Sequence, residues 1–130
     1  MIGMQAHTKS DFPRVAKKAQ QAGITSLGHA GGAIRLTARR SIRRRKKASP
    51  AGAPPHTRRG QLKQAIQYAV EKQHDRVVIG PDEAFVGPSG GAHEHGGRFR
   101  RERYPKRPFM RPALQKIIPR LPKMWANSVR

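Results

Sequence analysis

Residues 92–97, Ala-His-Glu-His-Gly-Gly, hold the side chains best suited to chemistry in this chain. Two imidazoles beside a carboxylate are the materials of a zinc site or a proton relay. His93 and His95 stand two apart, a spacing that puts both on one side only of an extended strand, where Glu94 points the other way. A zinc ion held there would lack a third ligand. No His-x-x-x-His pair occurs, and His7, His29, His56 and His74 lie in unrelated contexts. No Ser/His/Asp arrangement, phosphate loop or paired-carboxylate motif elsewhere supports chemistry. The chain is therefore expected to be no enzyme and to need neither metal nor cofactor. Glu94 reads as structural, a carboxylate set among guanidinium groups that hold it in paired hydrogen bonds.

Those residues have to be positioned by a small and strongly basic fold. The 130 residues carry 28 Lys and Arg against 7 Asp and Glu, a formal net charge of +21. A chain of that charge repels itself and calls for polyanionic or acidic neighbours. Asp11 is the only acidic residue among the first 70, whereas Glu71, Asp75, Asp82 and Glu83 follow closely, so the N-terminal half is the part expected to face an anion. Without cysteine there is no disulfide, thiolate site or thiol nucleophile. No stretch approaches the roughly 18 apolar residues of a membrane span, and the start lacks the apolar run of a signal peptide. Its basic, acid-poor composition only imitates a transit peptide.

The expected class is α+β in a single domain: N-terminal helix or helices, a small antiparallel sheet, a C-terminal helix and extended basic loops. Residues 1–48 form the helical basic part, 49–57 a Pro-rich linker, and 58–130 the hairpin, an extended arm and the last helix. Ser10 or Asp11 can cap a first helix with Pro13 in its opening turn, and Phe12, Val15, Ala16, Ala19 and Ala22 share a face before Gly23. Ile24, Leu27, Gly31, Ile34, Ala38 and Ile42 continue at helical spacing, as a second helix or a broken continuation. Beyond Arg39 and Arg40 the cations crowd into Arg43, Arg44, Arg45, Lys46 and Lys47, a basic helix end that with Arg58 and Arg59 should face nucleic acid or an acidic protein surface.

Past the linker, Thr57 can cap a turn carrying Leu62 and Ile66, although Gly60 weakens it. Ile66, Tyr68 and Val70 alternate with polar residues, Gln73-His74-Asp75 offers a turn, and Val77, Val78 and Ile79 follow, which together predict an antiparallel hairpin. Residues 86–97, with five glycines and a proline, read as loop. Pro105, Pro108 and Pro112 stiffen Tyr104 to Met110 into an arm that presents Phe109 and Met110 as apolar anchors, after a basic loop from Arg98 to Arg103. The closing helix places Leu114, Ile117, Ile118, Leu121, Met124 and Trp125 on one stripe, split or kinked at Pro119.

Three of these segments carry a resemblance. APPHTRRGQLKQAI (53–66), AHEHGG (92–97) and YPKRPFMRPAL (104–114), in that order and spacing, resemble the tailed-bacteriophage virion morphogenesis family of head-to-tail joining and tail-completion proteins. Gly60, Leu62 and Ile66 match its Thr-x-x-Gly-x-Leu type turn. Glu94, Gly96 and Gly97 match its Glu-x-Gly signature. Arg107, Pro108, Phe109, Pro112 and Ala113 match its Arg-Pro-Phe-Leu/Met-x-Pro-Ala run. The Tyr-Ala pair frequent before Glu-x-Gly is replaced here by glycine-rich sequence, and the basic segment is heavier than usual.

The resemblance covers about half the chain, residues 53 to 118. It implies a small subunit that assembles as a homo-oligomeric ring in the virion neck, made in the host cytoplasm, between portal or adaptor-side and tail-side proteins. Basic surfaces would then make non-specific contact with packaged DNA, and no membrane would be involved. Arg107, Pro108, Phe109, Met110, Pro112, Leu114, Ile117, Leu121 and Trp125 would supply subunit or neighbour interfaces. The competing expectation is a basic nucleic-acid-binding module of ribosomal-protein type, with a hydrolase built on His93, Glu94 and His95 a distant third.

Overall fold

The computed structural model describes residues 2–99 and 101–126. A 40-residue helix, α1 (Ile2–Ser41), opens the chain. The expected breaks in it do not occur: Ser10, Asp11 and Pro13 lie within helical backbone, and Gly23 does not end it. None of Gly23, Gly28, Gly31 and Gly32 adopts positive φ, the geometry by which a glycine usually closes a helix. The side chains of Phe12 and Val15, expected on its inner face, lie outside the described residues, as does Arg100. From Ser26 onward the helix buries a row four residues apart, Ser26, Ala30, Ile34 and Ala38, which Ile42 continues just past its end. That row agrees with the expected stripe at Ile34, Ala38 and Ile42.

The predicted hairpin forms between β3 (Ile66–Glu71) and β4 (Arg76–Pro81), once a short parallel pair, β1 (Arg43–Arg44) and β2 (His56–Thr57), has been passed. Its antiparallel register runs from Ile66 opposite Pro81 to Glu71 opposite Arg76, through a 3-10 turn at Lys72–His74 and a left-handed Asp75 (φ 47°). The small residues of α1 seat it. A Cβ at Gly31 would come within 2.7 Å of Val77 Cγ2 and 2.8 Å of Tyr68 Cδ2. Glycine in a helix costs about 1 kcal/mol, and this close approach of sheet to helix is what it permits.

The Pro-rich stretch is folded in rather than a linker. Ser49 and Pro55 are buried, Ala53 N–H donates to Pro50 O, and Gly52 N–H donates to Lys106 O at 2.7 Å. Gly60 takes φ 75° just ahead of α2 (Gln61–Ala65), and Thr57 Oγ1 accepts the Gly60 N–H, so Thr57 braces the turn before the helix. Ile66 belongs to the strand, not to that turn.

Residues 83–95, expected as loop from residue 86 on, are mostly helical. α3 (Glu83–Val86) is capped by Asp82, whose Oδ1 accepts Ala84 N–H, and α4 (Ser89–His95) follows. The glycines serve the ends: Gly87 (φ 63°) closes α3 and Gly96 (φ 68°) closes α4. The basic loop after them is a ribbon, β5 (Gly97–Phe99) against β6 (Glu102–Tyr104).

At the end of the chain, α5 (Met110–Ile117), a 3-10 turn (Ile118–Arg120) and α6 (Leu121–Trp125) show the split expected at Pro119. The tighter turn advances the phase of the stripe. Ile117 is buried and Leu121 and Met124 pack on the core, whereas Leu114, Ile118 and Trp125 face outward. The core joins Ile34 and Ala38 of α1, and Ile42 just past its end, to Leu62, Ile66, Phe109, Ala113 and Ile117. Among the described residues no helix is long and apolar enough to cross a membrane.

Candidate functional site: a carboxylate clamp and a basic ridge

Two features stand out, one inward-facing and one exposed. The first begins where α5 starts without a capping side chain, because Pro108 and Phe109 offer no oxygen to the amides of the first turn. Glu94, on the last turn of α4, supplies both. Its Oε2 accepts the N–H of Phe109 (2.8 Å) and of Met110 (3.0 Å), and its Oε1 accepts the N–H of Arg111 (2.9 Å). A carboxylate at that place also meets the positive end of the helix dipole. The partners of Glu94 are thus backbone amides and not the guanidinium groups expected from the surrounding arginines. The physical reason is reach: the helix brings the carboxylate to a bare N-terminus, where three converging donors satisfy it together.

The clamp is braced on both sides. Arg107 N–H donates to His93 O at 2.7 Å, and Arg107 Nε donates to Ser49 O at 2.9 Å, tying the arm to α4 and to the Pro-rich stretch. A Cβ on Gly96 would lie 3.1 Å from Tyr104 O and from Lys106 N, so residue 96 must be small as well as left-handed.

The arm is docked upon its own chain. Phe109 is 0% exposed and Ile117 2%, both inside the core, so neither has surface to offer a neighbour; the interface expected of them is corrected to a core role. Arg107, Pro108, Met110, Pro112 and Leu121 are half-buried, while Leu114 and Trp125 remain exposed.

His93 and His95 do not face one ligand, because they stand on a helix and not on a strand. Residues two apart on a helix point about 200° apart. His95 is exposed. Burial, and after it the charge of Arg107, lowers the pKa of His93 below its ordinary value. No group of three or more His, Cys, Asp or Glu residues that could hold a metal ion occurs among the described residues.

The second feature starts where α1 ends at Ser41 and Ile42 dives into the core. Arg43 and Arg44 leave the helix altogether and pair in parallel with His56 and Thr57, so the expected basic helix end is a strand. Arg45 N–H donates to Thr57 O at 3.0 Å, Arg44 Nε donates to Arg58 O at 3.1 Å, and His56 Nδ1 meets Lys47 O at 2.8 Å. These bonds bring two runs of cations, separated in sequence, onto one ridge. Arg43, Arg44, Arg45, Lys46, Lys47, Arg58 and Arg59 are all exposed there. Arg40, too, is exposed, whereas Arg39 is half-buried and its Nε has no hydrogen-bond partner. The ion pair between Arg76 and Glu71 belongs to the β3–β4 hairpin and neutralises nothing on the ridge.

The arrangement is a braced carboxylate beside a row of exposed cations. What it can do is hold a shape and present positive charge. The clamp was hidden in the sequence because its donor and acceptor lie 15 to 17 residues apart. The signal that could have exposed it is a helix start without a capping residue, downstream of a lone acid. No protein-family model, curated protein or solved structure matches this chain.

Proposed function

We propose that the chain is a structural subunit of a tailed-phage neck, joining the DNA-filled head to the tail as one member of a ring. One observation carries the reading. The three separated segments on which the resemblance rests meet in a single knot: Glu94 on the amides of residues 109–111, Arg107 on residues 49 and 93, and Leu62 and Phe109 in one core. Signature residues that brace one another make a rigid small unit, which is what a repeated ring component requires.

The ridge then has a task. Copies of a +21 chain would repel if their ridges met, so each ridge turns toward packaged DNA or an acidic neighbour. Contacts to phosphates carry no sequence information, and the attraction weakens with salt. The seven exposed cations equally suit the second reading, a basic nucleic-acid-binding module of ribosomal type.

Electron microscopy and native mass spectrometry of the purified protein, alone and with portal-side and tail-side partners, test the proposal. Closed rings, or incorporation at the neck of particles, are expected. A chain that stays monomeric with every such partner, beside particles that are complete without it, would overturn the reading. Recovery in ribonucleoprotein would transfer support to the second.

A further inference from the structure

Between β2, α2, α3 and α4 lies a cleft of about 420 Å³ that shares Arg58 and His56 with the ridge and His93 with the clamp. Its apolar lining is Leu62, buried, Val86, half-buried, and Phe85, 59% exposed, among the polar Thr57, Gln61 and Ser89. Arg58, His56 and His93 complete the lining, and no carboxylate among the described residues belongs to it. Because Lys47 O can only accept, His56 Nδ1 carries the proton of that bond, which leaves Nε2 for another partner.

We propose that this cleft docks an acidic segment of a partner protein, one that brings an apolar side chain together with its carboxylates. The sign of the charge follows from Arg58, with the other exposed cations of the ridge beside it. The need for an apolar side chain follows from Phe85, a large ring held in water in a cleft that Leu62 and Val86 also line, the arrangement of an unfilled anchor site. The volume falls in the range of sites that take one or two side chains. Duplex DNA fits it poorly, since its base faces are stacked within and its surface of phosphate and sugar has no use for Leu62, Val86 and Phe85. The proposal is independent of the neck reading and survives its failure.

The test uses the full chain and fluorescence anisotropy with two labelled hexapeptides, one alternating Glu and Leu and the other Glu and Ser. The Glu-Leu peptide is expected to bind about tenfold more tightly, and Phe85→Ser, which leaves every charge in place, to remove about that factor. Equal binding of the two peptides, or a Phe85→Ser protein that binds as before, would mean attraction by net charge alone and would overturn the proposal. So would a single-stranded oligothymidylate that displaces the Glu-Leu peptide and itself depends on Phe85. Amide shifts of the unsubstituted chain give a second reading that needs no variant. Perturbation at residues 85–93 supports the cleft, and perturbation confined to residues 43–47 and 56–59 overturns it.

Discussion

The neighbourhood of Glu94 and the ridge around Arg44 handle charge in opposite ways. Around Glu94 one carboxylate is shared among three backbone amides and a helix dipole, half out of water, so that its position is fixed by geometry. Along the ridge, cations stand side by side in solvent, and hydrogen bonds to main-chain oxygens rather than carboxylates hold their strands. The difference teaches where this chain keeps its stability and where it leaves charge exposed. Substitutions should therefore divide into those that unfold it and those that only disarm it.

The sharpest way to break that division is within the clamp's own core. Phe109→Ala empties the largest fully buried site and is expected to cost about 3–5 kcal/mol in denaturant unfolding. Glu94→Ala should follow at about 2–4 kcal/mol, because three amides at the start of α5 lose a charged acceptor. An unchanged midpoint for Glu94→Ala would show that water replaces the carboxylate at no loss. Gly31→Ala, where a methyl group meets Val77 and Tyr68, should cost about 1–3 kcal/mol.

On the ridge, Arg43→Glu, Arg44→Glu and Arg45→Glu should each move stability by less than about 0.5 kcal/mol. Each should nonetheless lower the slope of log affinity for duplex DNA against log salt by roughly 0.9 for every phosphate it ceases to neutralise. The smallest effect belongs to His93. Its pKa is lowered in the folded chain, so the unfolded chain takes up the proton more readily, and stability present above the ordinary value of 6.5 is lost as pH falls below it. Melting temperature should therefore decline between pH 7 and pH 5, less steeply in His93→Gln.

Local pattern was enough for some of this fold and useless for the rest. The hairpin was legible because Ile66, Tyr68 and Val70 alternate and Val77 to Ile79 answer them across a turn. Pro119 announced its own break. The continuity of α1 was not legible, because its glycines look like stops until a sheet is known to rest on Gly31. Residues 89–95 looked like loop for the same reason, since the positive φ of Gly87 and Gly96 is invisible in composition. Arg107 to Ala113, expected as an outward arm, was turned the wrong way: Phe109 serves the interior. Proline stiffness says that a segment is extended, not on which side it is covered.

One consequence reaches past the knot itself. With residue 94 fastened to residues 109–111 and Lys106 to Gly52, the ribbon of residues 97–104 is gripped at its stem. Its two strands pair with each other beyond that stem, as a flag hangs from its pole. Lengthening it by a few residues adds little closure entropy, so a reporter peptide spliced in after Arg101 should ride there as a handle while the pole stands.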